Sequence, residues 1–225
     1  MEEVKIYKDP MADIVVLRLW GEHENEIDQE IALVEEKLDD FFDNMSETGG
    51  KDKDWCLITI PVKDWSHDMT PWETSEMATG GGAKEMLDYI LNKVISKFEV
   101  QYGNDNRKYI LAGYSLAGLF SLWASYQTDR FIGIVAGSPS VWYPEWMEYI
   151  ENNKSKASKV YLSIGSKEHK TRNALMSQVA LNIQKQYELL GSQGVDVVFE
   201  VNPGNHFKEV TQRMAKGIAN SIENM

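Results

Sequence analysis

Residues 107–120 read Arg-Lys-Tyr-Ile-Leu-Ala-Gly-Tyr-Ser-Leu-Ala-Gly-Leu-Phe, and this stretch decides the fold. Tyr109 to Ala112 is a short buried strand, and Ala117 to Tyr126 is apolar nearly all round, as a helix enclosed on every side would be. Between them the chain must turn sharply at Gly113-Tyr114-Ser115-Leu116-Ala117. Small residues two before and two after the serine suit such a turn, because larger side chains would strike the neighbouring strand or helix. The string alone is common; its placement between a strand and a helix predicts a nucleophile elbow with Ser115 at its apex.

Outward from this turn, strands and helices alternate. Ile14 to Trp20 is a dense apolar run closed by Gly21, and Cys56 to Val62 is a second buried strand. Asp28 to Asn44 reads as an amphipathic helix with Ile31, Val34, Leu38, Phe41 and Phe42 on one face, and Gly49 to Asp54 as a polar turn. Lys63 to Gly82 is a long loop, and Ala83 to Tyr102 a helix. Phe131 to Ala136 and Val160 to Ile164 are strands; Thr171 to Leu190 is a helix, Val195 to Val201 a strand, and Phe207 to Ile222 the closing helix. The pattern predicts an α/β protein, a single domain over residues 1–225, with a mostly parallel central sheet and helices on both faces. In such sheets the functional loops gather at the carboxyl ends of the strands.

Composition narrows the partners. The formal charge of −12, from 35 acidic against 23 basic residues, repels phosphate backbones and anionic headgroups, so neither nucleic acid nor a membrane is expected. No run approaches the roughly 18 apolar residues of a membrane span, and MEEVKIYKDP puts acids where a secretory leader carries bases. A cytoplasmic location is expected. Cys56, the single cysteine, allows no internal disulfide and no Cys-rich zinc site, and reads as a buried apolar residue. Glu35-Glu36 and Asp39-Asp40 read as a solvated helix face, and no metal or cofactor is expected. Gly80-Gly81-Gly82-Ala83-Lys84-Glu85 lacks the Gly-Lys-Ser/Thr ending of a phosphate loop and follows no strand, so it reads as a helix entry.

A serine hydroxyl needs a base to become a nucleophile, and the chain offers four histidines. His206 stands in Asn202-Pro203-Gly204-Asn205-His206, between the last strand and the last helix, which puts it at the same sheet edge as Ser115. His23 reads as solvent-exposed in an acidic turn, His67 lies in the long loop and could line the site, and His169 neighbours Glu168. An α/β-hydrolase places the acid that orients its histidine between serine and histidine in chain order, and Glu168, three residues past Gly165, fills that slot. Lys167 and Lys170 flank it and compete for its carboxylate. For the oxyanion, Leu116 N–H supplies one donor and Val62 or Lys63, after the earlier strand, the second. Trp65, Trp72, Trp142, Tyr143 and Trp146 fall in loops at this edge, where aromatics can form an acyl or alcohol pocket.

The residues together resemble the family of esterases that contains enterochelin esterases and esterase D. The likeness rests on Asp68-Met69-Thr70-Pro71, Gly80-Gly81-Gly82-Ala83, Leu87-Asp88-Tyr89-Ile90, the stretch from Arg107 to Phe120, Ser138-Pro139-Ser140-Val141-Trp142, and Asn205-His206. It runs in order from about Ile58 to the C-terminus. It implies an α/β-hydrolase fold with Ser115 as nucleophile, His206 as base and Glu168 as acid; some siderophore esterases of this kind use only a Ser-His pair, so both arrangements stay open. His67 stands where relatives commonly carry a basic residue. His67, Trp142 and Tyr114 are the candidate substrate-binding residues.

The expectation is therefore a cofactor-independent serine esterase acting on small or aromatic, largely uncharged carboxylic or thio-esters. An acyltransferase using the same residues, and a non-catalytic binding relative, are the rivals. Nothing in the sequence sets the oligomeric state.

Overall fold

The computed structural model describes residues 4–21, 26–45, 54–76, 78–104 and 106–225, without the side chains of 41–45. Seven strands form one sheet in the order β1-β3-β2-β4-β5-β6-β7. They are β1 (Lys5–Lys8), β2 (Ile14–Trp20), β3 (Trp55–Pro61), β4 (Lys108–Tyr114), β5 (Phe131–Gly137), β6 (Lys159–Gly165) and β7 (Asp196–Asn202). Only β1 runs antiparallel, against β3; every other pairing is parallel. The helices are α1 (Ile27–Met45), α2 (Trp65–Asp68), α3 (Ala83–Tyr89), α4 (Ser96–Tyr102), α5 (Leu116–Gln127), α6 (Trp146–Asn152), α7 (Val179–Ser192) and α8 (Val210–Glu223).

Parallel strands connected by crossovers are covered on both faces, and both faces here carry a core. On one, Val16, Leu57, Ile110 and Val135 pack against Val34 and Leu38 of α1 and Met214 and Ile218 of α8. On the other, Leu17, Ile58, Leu111 and Ile134 pack against α3, α4, α5 and α7. α5 is buried at every position from Leu116 to Tyr126, which explains its apolar character; its Ser121 and Ser125 hydroxyls satisfy themselves on the Ala117 and Leu122 carbonyls.

The alternation predicted from sequence is present, with differences at boundaries. The helix expected from Thr171 begins only at Val179, because the Asn173 side chain accepts from Leu175 N–H at 3.0 Å and Met176 N–H at 3.1 Å and holds a turn there. The closing helix begins at Val210 rather than Phe207, since Glu209 takes a left-handed φ of 55° just before it. The helix from Ala83 to Tyr102 is continuous but passes through a π-helical stretch, Ile90–Ile95. β1 has no counterpart in the sequence pattern, and the long loop contains α2. The side chains of Phe41 and Phe42, and residues 49–53 of the expected polar turn, lie outside the described residues. Among the described residues, no helix is long and apolar enough to cross a membrane.

Candidate active site

The strand-to-helix turn at Ser115 is built by close backbone approach. Ser115 carries φ 58° and ψ −120°, a conformation that residues with a Cβ rarely adopt. Gly113 permits it, since a Cβ there would sit 2.3 Å from the Ala117 carbonyl oxygen. Gly118 lets α5 approach the end of β5, where a Cβ would meet Gly137 O at 3.1 Å. The turn is fastened by Ser115 N–H donating to Gly137 O at 2.9 Å and Ser140 N–H donating to Ser115 O at 3.0 Å. Leu116 is the first residue of α5, so its N–H points out of the helix with the positive end of the helix dipole, at the serine.

The turns after β6 and β7 bring the other two residues to it. Ser166 N–H donates to Asn202 O and Lys167 N–H to Gly204 O, both at 2.8 Å, so the two loops are bound together. His206 Nε2 lies 3.0 Å from Ser115 Oγ, and His206 Nδ1 lies 2.8 Å from Glu168 Oε2. The Glu168 side chain is turned inward and only 4% exposed, away from Lys167 and Lys170. Its Oε1 accepts from Gly165 N–H at 2.6 Å and Ser138 Oγ at 2.5 Å. Burial pushes this carboxyl up, and the hydrogen bonds from His206, Ser138 and Gly165 outweigh it, holding Glu168 below the usual carboxylate range.

Two participants were not legible in the sequence. Arg213 of α8 reaches Glu168 Oε1 at 3.2 Å and the Tyr114 hydroxyl at 2.8 Å. Ser138, present in a recognised motif but given no role, bridges Arg213 and Glu168. A lone arginine in the apolar run Met214, Ala215, Ile218 was the available signal. Tyr114, expected to meet substrate, has its ring on the cavity wall, but its hydroxyl is directed inward, donating to the His206 carbonyl at 2.6 Å.

A cavity of about 380 Å³ opens beside Ser115 and His206. Trp20, Trp65, Phe207 and Val210 give it apolar walls. Its polar wall holds Arg18 and Glu30, joined by a buried ion pair at 2.8 Å, and Glu26, which accepts from Thr211 Oγ1 at 2.6 Å. Trp65 is therefore the one aromatic of the five expected here that reaches the cavity wall. Trp146 and Tyr143 are core residues, Trp72 donates its indole N–H to Pro144 O at 3.1 Å, and Trp142 packs beside Tyr143.

Three assignments change. Val62 does not offer a free donor, because its N–H is given to Trp20 O at 2.9 Å. The reason is sheet order: β2, not β3, lies beside β4, and with Arg18 opposite Ala112 the parallel register brings Gly21 level with Ser115. Gly21 is thus one strand closer to Ser115 than either Val62 or Lys63. His67 is held by Asp68 at 3.0 Å, which raises its pKa, and its ring lies over Gly82, off the cavity wall. Trp142 is likewise off that wall. His23 lies outside the described residues, and His169 is exposed.

The family described as "Putative esterase" matches residues 37–213. The chain belongs to this family. A curated relative, "Uncharacterized protein YbbA" of Bacillus subtilis, is 24% identical over an alignment of 148 positions that covers 61% of this chain and 59% of that protein; the match thus spans about three-fifths of the relative's length. Among solved structures, an IroE-like serine hydrolase from Shewanella oneidensis superposes with a TM-score of 0.70 at 18% identity, over 97% of this chain and 73% of that one. The siderophore hydrolase EstB from Aspergillus nidulans gives 0.69 at 16% identity, over 96% and 85%. This member of the esterase family thus shares the α/β-hydrolase fold of those proteins.

Proposed function

We propose that the chain is a serine carboxylic ester hydrolase working through an acyl-enzyme on Ser115. The observation that carries this reading is the hydrogen-bonded series Ser115 Oγ, His206 Nε2, His206 Nδ1, Glu168 Oε2, with links of 3.0 and 2.8 Å. Ser115 Oγ attacks the ester carbonyl carbon as His206 Nε2 takes its proton, while Glu168 keeps the ring in the tautomer that can accept it. The carbonyl oxygen becomes an oxyanion facing Leu116 N–H. The C–O bond to the alcohol then breaks as His206 returns the proton to the leaving oxygen. Water, deprotonated by His206, attacks the acyl carbon and releases the acid and Ser115.

The cavity favours a small or aromatic, largely uncharged acyl or alcohol group. Its apolar walls supply the affinity, and its one buried guanidinium is already neutralised by Glu30. Membership of the esterase family supports ester hydrolysis. The test is Ser115→Ala assayed against p-nitrophenyl esters of graded chain length, alongside fluorophosphonate labelling. Loss of turnover and labelling in a folded variant is expected; a fully active Ser115→Ala protein would refute the serine mechanism.

A further inference from the structure

Arg213 is buried, its side chain 2% exposed, on the face of α8 that packs against the sheet. A guanidinium there is costly to desolvate, and its Nε has no partner among the described residues. An apolar residue would join Met214 and Ile218 in the core without that cost. The other two nitrogens are both spent on the site. Nη2 meets Glu168 Oε1 at 3.2 Å and bonds Ser138 Oγ, and Nη1 donates to the Tyr114 hydroxyl at 2.8 Å. Tyr114 in turn donates to the His206 carbonyl at 2.6 Å, and the guanidinium carbon lies 5.3 Å from the centre of its ring. One planar cation thus grips the proposed acid directly and the backbone of the proposed base through one hydroxyl.

We propose that Arg213 is a positioning residue that sets both the geometry and the basicity of His206, an inference that rests on the reading of Ser115, His206 and Glu168 given above. Its two arms fix where Glu168 and His206 stand. Its charge has a separate effect. Ionised Glu168 stabilises the imidazolium that forms when His206 takes the serine proton, and a fixed cation on the opposite carboxylate oxygen offsets that pull. The other charged groups around this region are common to every Arg213 variant, so they act on all the curves alike. Arg18 is paired with Glu30 on the cavity wall, Glu26 holds Thr211, and Lys208 pairs with Glu209 at 3.3 Å. Lys167 and His169 are exposed on the loop after β6.

The test compares kcat/KM against pH for the wild type, Arg213→Met, Arg213→Gln and Arg213→Lys, using p-nitrophenyl butyrate and normalising to sites titrated by fluorophosphonate. Removing the cation stabilises the imidazolium, so the acid limb of the methionine and glutamine variants should move to higher pH by about one unit, the low end of what one nearby charge produces. Lysine keeps the charge but cannot span Tyr114 and Glu168 together, so its limb should stay in place while kcat falls about tenfold. If the methionine variant does not fold, glutamine, which retains N–H donors, reads the same limb. A merely structural arginine would lower the yield of titratable sites and leave the limb of every variant on the wild-type curve, which would overturn the proposal. An unlabelled Ser115 in the wild type would defeat the serine reading and this inference with it; a labelled Ser115 with an unmoved limb defeats this inference alone.

Discussion

Glu168→Gln distinguishes a triad from a Ser-His pair, and its effect can be worked out from the donors around the carboxylate. Oε1 faces Gly165 N–H at 2.6 Å, Ser138 Oγ at 2.5 Å and Arg213 Nη2 at 3.2 Å, whereas among the described residues Oε2 faces only His206 Nδ1 at 2.8 Å. Glutamine has one oxygen to offer. Placed among the three donors, that oxygen leaves the amide N–H pointing at Nδ1, which must then accept; the ring proton shifts to Nε2, and His206 can no longer take the serine proton. The opposite flip restores the productive tautomer but sets amide hydrogens against Gly165 N–H and the guanidinium. At about 1–3 kcal/mol for each buried donor left unmet, roughly 2–6 kcal/mol holds the side chain in the unproductive orientation. With about 1.4 kcal/mol per tenfold, and the lost stabilisation of the imidazolium added, kcat should fall by about 10³–10⁴ with KM little changed. The assay should use an alkyl ester, because p-nitrophenolate leaves without a proton and would mask half of the histidine's work. A folded Glu168→Gln enzyme that loses less than about tenfold in kcat would refute the triad and leave the Ser-His pair.

Gly113→Ala would place a Cβ 2.3 Å from Ala117 O and 2.4 Å from its carbonyl carbon, backbone atoms that cannot move aside, so a stability loss of about 1–3 kcal/mol and failure of fluorophosphonate labelling are expected; an unchanged Tm with normal labelling would contradict the elbow packing. Because the folded-state pKa of Glu168 lies below its ordinary value of 4.5, its ionised form contributes stability that is fully present above that value and is lost as pH falls through the lowered one. The gap in urea midpoint between wild type and Glu168→Gln should therefore be open at about pH 7 and narrow as the pH falls below 4.5, and a gap independent of pH would count against the buried, paired carboxylate.

The sequence by itself determined the alternation of elements and the sharp strand-to-helix turn at Ser115. Those are local properties: the apolar periods of β2, β4 and α5, and the small residues at 113 and 117, are dictated within a few positions of each other. It also determined which end of the sheet His206 and Glu168 occupy, because each follows a parallel strand by a few residues. What it could not determine was the lateral order of the strands. Chain order put Val62 next in line to the elbow, but β2 inserts between β3 and β4, so Gly21 rather than Val62 stands level with Ser115. Nor could it determine which aromatic side chains reach the cavity, since Trp65 and Trp146 carry the same local signal and only packing sends one to the wall and the other to the core. Arg213 shows the limit most plainly. Its partners Glu168, Ser138 and Tyr114 lie 45, 75 and 99 residues away along the chain, and no period or motif spans such distances; only the closing of the sheet at its carboxyl edge places one guanidinium among the three.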